Sequence, residues 1–302
     1  MTKPHEHTPV IGGRIEGGQL YVVATPLGNL GDITLRALDT LRGVDLVAAE
    51  DTRTTANLLA HHGIKARLLA LHEHNEARAA DKLIAALAAG QSVALVSDAG
   101  TPAISDPGAL AVARVLDAGY RVTPIPGPNA AITALSAAGM VETAFLFYGF
   151  LPAKAGARRK VLESLCGLPH ALVFYEAPHR IAECIDDLAE SFEPGRTVVL
   201  ARELTKMFES IHRCRLDQAQ AWLAADDNNR RGEFVLIVSG APEAEAEGAL
   251  DAEAERVLAL VAAELPPAKA AKLAAAITGV PRDVLYAHAL ARAGRRNDDD
   301  GV

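Results

Sequence analysis

Three charged side chains stand together where a predicted strand ends. The segment Ala48–Arg53 reads A-A-E-D-T-R and places Glu50 and Asp51 beside Arg53. Carboxylates in a pocket can accept a proton from a substrate, and an arginine beside them can hold an anion such as a phosphate. A purely structural role is equally open. Asp51 could cap the following helix and pair with Arg53 on the surface, where an ion pair contributes little.

Two loops rich in proline and glycine follow later strands. Residues 97–108 read S-D-A-G-T-P-A-I-S-D-P-G, residues 124–130 read P-I-P-G-P-N-A, and a shorter loop at 24–32 reads A-T-P-L-G-N-L-G-D. Loops after parallel strands lie where open α/β folds bind ligands. Proline and glycine fix or free the backbone, so its N–H and C=O groups can contact a ligand that combines an amino acid with a nucleoside. The shorter loop alone would be an ordinary connection with Asp32 as a helix cap.

The elements that position these loops alternate between strand and helix. From residue 20 to 125 the alternation predicts βαβ units and a largely parallel sheet, and residues 145–239 predict a second, mixed sheet. We expect a polar arm at 1–18, two α/β domains at 19–130 and 131–240, and an Ala/Glu-rich linker at 241–250. A small all-helical appendage follows at 251–295, and its turn at residues 278–281 is typical of a helix-turn-helix corner.

The composition favours helices packed on sheets. Half of the 302 residues are hydrophobic and 4% are aromatic. A net charge of −8 argues against indiscriminate nucleic-acid binding but leaves room for a local basic surface. The three cysteines form no C-x-x-C pair, which fits a reducing cytoplasm. We identify neither a signal peptide nor an apolar run of about 20 residues, so no membrane partner is expected.

Several well-known motifs are missing from the sequence. It contains neither a G-x-G-x-x-G after a strand, nor a phosphate-binding G-x-x-x-x-G-K-[ST], nor a G-x-S-x-G elbow. His72 and His74 in L-H-E-H-N-E are candidate metal ligands. Polar residues at a strand exit more often begin a solvated helix, so we expect no metal.

Eight segments together resemble the tetrapyrrole methylase superfamily of S-adenosylmethionine-dependent enzymes. They are A-T-P-L-G-N-L-G-D-I-T, A-A-E-D-T-R, L-H-E-H-N-E, L-V-S-D-A-G-T-P-A-I-S-D-P-G, I-P-G-P-N-A-A-I-T-A-L-S-A-A-G, Y-G-F-L-P-A-K, F-Y-E-A-P-H-R and A-R-E-L-T-K. The chain is most similar to the branch that methylates the 2′-oxygen of a cytidine ribose in 16S ribosomal RNA. The resemblance covers about residues 19–240. It implies two α/β domains with S-adenosylmethionine in the cleft between them, a homodimer, a cytoplasmic location, and 16S rRNA or the 30S subunit as substrate.

The resemblance also nominates residues. For the cofactor these are Pro26, Gly28, Asp98, Gly100, Thr101, Asn129, Ala130 and Tyr175. For proton transfer we select Glu50 or Asp51, with Lys206 as the alternative if burial lowers its pKa; a plain ion pair of Glu203 with Lys206 is the structural alternative. For contacts to RNA phosphates we expect Arg53, Lys154, Arg158, Arg159, Lys160, Arg180 and Arg202.

Two other functions stay open at this level. One is an enzyme of the same superfamily that methylates a tetrapyrrole or a protein side chain, against which the S-D-A-G-T-P and A-E-D-T-R segments argue. The other is a non-catalytic regulator that binds nucleic acid and senses S-adenosylmethionine. The helical tail could equally bind RNA or pack as a plain hairpin.

Overall fold

The computed structural model describes residues 15–142, 144–242, 250 and 252–299. One compact unit ends at Ala241 and a second begins at Pro242. Residues 1–14 of the predicted arm and 243–249 of the predicted linker lie outside the described residues.

The first sheet is fully parallel, as the alternation predicted. Its strand order is β3-β2-β4-β1-β5. The strands are β1 (Gln19–Val23), β2 (Leu46–Ala49), β3 (Leu68–Ala70), β4 (Val93–Val96) and β5 (Arg121–Ile125), and the helices are α1 (Leu35–Gly43), α2 (Thr52–His61), α3 (Glu76–Ala88) and α4 (Ala109–Asp117). Strands β2 and β4 are buried along their whole length because helices cover both faces of the sheet, which explains their unbroken apolar sequences.

The second sheet is mixed, again as predicted. Its order is β6-β7-β10-β8-β9, in which β6 and β7 are parallel and the other pairs antiparallel. The strands are β6 (Phe145–Phe150), β7 (Ala171–Glu176), β8 (Thr197–Arg202), β9 (Ser210–Arg215) and β10 (Phe234–Val238), and the helices are α5 (Ala130–Ala137), α6 (Ala155–Leu165), α7 (Ile181–Ser191) and α8 (Leu216–Ala225). A leucine-rich core that includes three phenylalanines lies between this sheet and helices α6 to α8.

The sequence analysis does not predict helix α5. The segment reads as part of the loop and boundary between the two predicted domains. Its cap is Asn129, whose side chain accepts a hydrogen bond from the Ile132 backbone N–H at 3.1 Å. Its buried face, with Ala131 and Ala134, packs on the second sheet. This packing agrees with a domain division near residue 130, which itself stays a prediction.

The unit after Ala241 is helical, as predicted. It consists of α9 (Ala252–Glu264), α10 (Pro267–Thr278) and α11 (Arg282–Asp299). Gly279 ends α10 with a left-handed φ of +76°, a conformation that glycine adopts without strain. Within the described residues, we find no helix with the length and apolar character that crossing a bilayer requires.

Candidate functional site

Three loops of the first sheet are tied to one another at its carboxyl edge. The Thr25 and Gly100 backbones exchange two hydrogen bonds, with N···O distances of 2.8 and 3.0 Å. The Thr101 hydroxyl donates to the Pro128 carbonyl oxygen at 3.0 Å. These bonds join the 24–32, 97–108 and 124–130 loops, so the segments that stood out in the sequence form one surface.

A first cavity of about 300 Å³ lies between these loops and the second sheet. Five of the eight residues nominated for the cofactor line it, namely Gly100, Thr101, Asn129, Ala130 and Tyr175. The Tyr175 hydroxyl accepts a hydrogen bond from the Ala131 N–H at 3.1 Å, and burial raises the pKa of this tyrosine. The second sheet therefore contributes a fixed aromatic wall to a pocket that the first sheet's loops begin.

The other three nominated residues lie elsewhere. Pro26, Gly28 and Asp98 line a second cavity, also of about 300 Å³, between the first loop and α2. Leu27 is shared by the walls of both cavities. The eight residues are thus divided between two adjoining cavities, which the sequence did not reveal.

The side chains of Glu50, Asp98 and Asp106 form a cluster of three carboxylates near the junction of the two cavities. Glu50 Oε2 accepts a hydrogen bond from the Asp98 backbone N–H at 3.3 Å, and Asp98 Oδ1 accepts one from the Asp51 N–H at 3.0 Å. Burial raises the pKa of Glu50, and the charges of Asp98 and Asp51 raise it further. Like charges held close together disfavour ionisation, so Glu50 is suited to taking up a proton.

Asp106 is a site residue that our selection from the sequence missed. It lines the first cavity, and burial, together with the charge of Glu50, raises its pKa to about 6. Two non-glycine residues just before it have left-handed backbones, Ala103 with φ +67° and Ser105 with φ +64°, and such strain is concentrated at functional sites. The second aspartate of S-D-A-G-T-P-A-I-S-D-P-G was the available signal, but its burial could not be read from the sequence.

Asp51 has the structural role that the sequence left open. It is the N-cap of α2 and accepts a hydrogen bond from the Arg53 N–H at 2.8 Å. Its carboxylate also pairs with the Arg53 guanidinium at 2.6 Å, and these bonds lower its pKa to about 2. A carboxylate with so low a pKa is a weak proton acceptor, which favours Glu50 and Asp106 over Asp51.

Lys206 lines the first cavity as a paired cation. Its Nζ lies 2.9 Å from Glu203 Oε1 and 2.8 Å from Glu233 Oε2. Burial alone would lower the pKa of Lys206, but the hydrogen bonds to Glu233 and Glu203 outweigh it and the pKa is raised. The condition for Lys206 as a base, a pKa lowered by burial, is therefore not met.

The basic residues selected for RNA have very different surroundings. Lys154, Arg159 and Lys160 are exposed on or next to α6, and Arg53 is 89% exposed. Arg180 donates to the Leu151 carbonyl oxygen at 2.7 Å. Arg202 donates to the Ser210 hydroxyl at 3.1 Å, so these two arginines also have partners within the protein.

Arg158, which we predicted to contact an RNA phosphate, is buried instead. Only 1% of its side chain is exposed, and its guanidinium pairs with the buried Asp187. A guanidinium enclosed in this way stabilises the packing of α6 on α7 and does not present its charge to an RNA phosphate. Its place in a run of basic residues concealed that it lies on the inner face of the helix.

Gly100→Ala is expected to weaken ligand binding in the first cavity. Gly100 has a φ of +83°, and an added Cβ would lie 3.2 Å from Leu27 Cδ2 in the cavity wall. A left-handed backbone costs alanine about 1–2 kcal/mol, and the loop can relieve this only by moving. We expect calorimetry to show binding of S-adenosylmethionine weakened about tenfold. Gly63→Ala is the control, because Gly63 has a φ of +65° and open space around it; equal affinities in the two variants would contradict the assignment.

Comparison with known proteins places the chain in a family. Residues 19–220 match the family described as tetrapyrrole (corrin/porphyrin) methylases, and residues 248–293 match the RsmI C-terminal HTH domain. The chain is 53% identical over 277 residues to ribosomal RNA small subunit methyltransferase I of Escherichia coli O157:H7, an alignment that spans 92% of this chain and 96% of the relative. It is 55% identical over 269 residues to the protein of the same name from Xylella fastidiosa, spanning 89% of this chain and 98% of the relative.

Solved structures share the fold at lower identity. Uroporphyrin-III-C-methyltransferase from Thermus thermophilus aligns with a TM-score of 0.54 at 21% identity, over 74% of this chain and 94% of that one. The methyltransferase CobJ aligns with a TM-score of 0.56 at 21% identity, over 74% and 95%. These likenesses confirm the predicted two-sheet α/β fold, and the sequence matches confirm the predicted resemblance. The chain belongs to the tetrapyrrole methylase family and, within it, to the group of ribosomal RNA small subunit methyltransferases I.

Proposed function

We propose that this chain is an S-adenosylmethionine-dependent methyltransferase that transfers a methyl group to the 2′-oxygen of a cytidine ribose in 16S ribosomal RNA. The relatives at more than half identity are named for methylation of small-subunit rRNA. In the structure, the observation that carries the proposal is a cavity lined by Asp106, with Glu50 nearby, two carboxylates whose pKa values are raised. A ribose hydroxyl is a poor nucleophile, so its methylation benefits from such proton acceptors.

The residues of the first cavity fit S-adenosylmethionine. Leu27, Ile104 and Leu204 give it an apolar lining, which suits the faces of an adenine ring. The Asn129 side-chain NH2 supplies a hydrogen-bond donor, and Asp106 supplies a negative charge for a positively charged ligand. When bound, S-adenosylmethionine would supply a methyl group on a sulfonium sulfur, and the C–S electron pair would leave with a neutral thioether. We propose that all eight nominated residues border the two reactants, five on the donor side and three toward the acceptor.

We propose Asp106 as the proton acceptor. It lines the first cavity, and its pKa of about 6 lets it be ionised at neutral pH and still take up a proton. Glu50 raises that pKa through its charge and holds the Asp98 backbone in place. Accordingly, Asp106 and Glu50 act on the proton, whereas Asp51 and Lys206 hold the loops that surround them.

The direct test of this function uses radiolabelled methyl donor. Purified protein is incubated with tritiated S-adenosylmethionine and, separately, with unmethylated 30S subunits, free 16S rRNA or uroporphyrinogen. Label in RNA at an internucleotide bond that resists alkali is expected, because a 2′-O-methyl group removes the hydroxyl that alkaline cleavage needs. Label in uroporphyrinogen alone would support the tetrapyrrole alternative, and label in none of the three would support a non-catalytic regulator.

The rate is expected to fall in acid. Because burial raises the pKa of Asp106 to about 6, the acceptor becomes protonated, and thus inactive, below that pH. The value of kcat/KM should be near its plateau at neutral pH and fall about tenfold per pH unit below about pH 6. Single-turnover methylation of 30S subunits across this range checks it; a flat profile down to about pH 5 would contradict the role of Asp106.

We also propose a phosphate-binding surface, a homodimer and a cytoplasmic location. Lys154, Arg159, Lys160 and Arg53 are exposed members of the basic set, and their contacts would make RNA binding fall with rising salt. The dimer is supported by large apolar side chains on the surface, with Val141 91% and Met207 90% exposed, since such groups commonly mark interaction sites. Light scattering of the purified protein tests it. A cytoplasmic location follows from the proposed substrate.

A further inference from the structure

The second cavity adjoins the first. Placing S-adenosylmethionine in the first cavity does not explain what the second cavity binds. It has a volume of about 300 Å³, within the range of small-molecule sites. Its walls come from the first loop, from Ser97 and Asp98, and from one face of α2. We propose that this cavity receives the target nucleoside, with its base against α2, and that Asn57 reads the base. The inference rests on the proposed function, because it names where that function's acceptor lies.

The position of the cavity fits the acceptor of a group transfer. The two cavities share Leu27 in their walls. The cluster of three carboxylates reaches both cavities, because Asp98 lies in the wall of the second and Asp106 in the wall of the first. A transfer reaction needs its two reactants side by side in a fixed orientation. A nucleoside in the second cavity would place its ribose at the junction, next to the donor and the proton acceptor.

One face of α2 carries the groups that a nucleotide needs. Arg53 and Asn57 are four residues apart, so they lie on the same side of the helix about 6 Å from each other. The Arg53 side chain is 89% exposed and can meet a phosphate. Thr54, Asn57 and Leu58 form the cavity wall beside it. Phosphate and base of one nucleotide would thus be held by successive turns of a single helix.

The chemistry of the wall matches a pyrimidine base. Leu27, Leu30 and Leu58 offer apolar surface to the faces of a ring, and the Leu30 side chain is accessible to a ligand because the residue is 39% exposed. The Asn57 amide carries both a donor and an acceptor, as the ring nitrogen and amino group of cytosine require. In the described part of the chain, no hydrogen bond engages this amide. Enzymes that modify a nucleotide commonly take it out of the stack and read it in such a pocket.

The experiment compares Asn57→Ala with the wild type on unmethylated 30S subunits. We expect kcat/KM for the subunit to fall about 10- to 100-fold, the range of one well-placed bidentate base contact, while the dissociation constant for S-adenosylmethionine stays within about twofold by calorimetry. The variant should also lose the wild type's preference for cytidine over uridine at the target position. Asn57 is exposed, so the fold should be unaffected. His61→Gln, on the same helix beyond the cavity, is the matched control and should behave as wild type.

Three results would overturn the inference, and they are distinguishable. Unchanged subunit kinetics in Asn57→Ala would mean that the second cavity does not hold the nucleoside. An S-adenosylmethionine affinity weakened about tenfold would assign the cavity to the donor instead. A wild-type protein that leaves RNA unlabelled would refute the proposed function itself, and the inference would fall with it.

Discussion

Asp106→Asn should slow methyl transfer by about 10²- to 10⁴-fold, the usual contribution of a positioned general base. Asparagine keeps the size and the hydrogen-bonding reach of the side chain but cannot take up a proton. Burial and the neighbouring Glu50 give the wild-type carboxyl a pKa of about 6, so the loss should be largest near neutral pH, and the acid limb of the pH profile should disappear. Single-turnover rates on 30S subunits measure both effects.

The controls for Asp106→Asn separate chemistry from folding. The folded-state pKa of about 6 lies above the ordinary value of 3.8. Ionisation of this side chain therefore opposes folding. The stability associated with the protonated carboxyl is present below pH 3.8 and is lost as pH rises through about 6. The variant should thus be at least as stable as wild type at neutral pH. Asp51→Asn should retain most activity, since asparagine is an equally good helix cap. Equal losses in the two variants would contradict the choice of Asp106.

Arg158→Met is expected to lower the free energy of unfolding by about 3 kcal/mol, because it leaves a buried carboxylate without its main partner. The Arg158 side chain is 1% exposed and that of Asp187 is 5% exposed. Arg159 Nε also lies 2.8 Å from Asp187 Oδ1, and this contact keeps the cost near the lower end for broken buried pairs. Urea denaturation of both proteins gives the difference.

Arg159→Met is the matched control for this prediction. It removes a guanidinium that binds the same aspartate but is 49% exposed, so the loss of stability should be much smaller than in Arg158→Met. Equal losses of stability in the two variants would contradict the argument from burial, and weaker RNA binding by Arg158→Met without a change in stability would make Arg158 an RNA contact after all. Arg158→Met combined with Asp187→Leu should recover much of the stability, because no uncompensated charge remains.

Local patterns were enough to predict the two sheets. In the strands of the first sheet, runs such as V-A-L-V at Val93–Val96 are buried on both faces. A short apolar run followed by a glycine-rich loop is typical of a buried strand. Helix α5 was missed for the same reason. Its sequence A-A-I-T-A-L-S-A follows a stretch of prolines that pointed to a loop, and its helical structure depends on the Asn129 cap and on packing against the second sheet.

The site was predictable only as a set of segments. The motifs led to the selection of Gly100, Asn129 and Tyr175, which line one cavity in the structure, but spacing along a chain does not tell which residues share a wall. The separation of Pro26 from that cavity depends on how the first loop turns toward α2. Burial decides the rest, since it makes Asp106 a stronger proton acceptor than Asp51, and no sequence pattern states how deep a side chain lies.

The measurement that tests the account most directly is a crystal structure of the protein grown with saturating S-adenosylmethionine or S-adenosylhomocysteine. We expect the ligand in the first cavity, between the Gly100 loop, Asn129 and Tyr175, with its sulfur toward the junction at which Asp98 and Asp106 lie. Ligand density in the second cavity alone, or away from both, would contradict the assignment of donor and acceptor on which the mechanism depends.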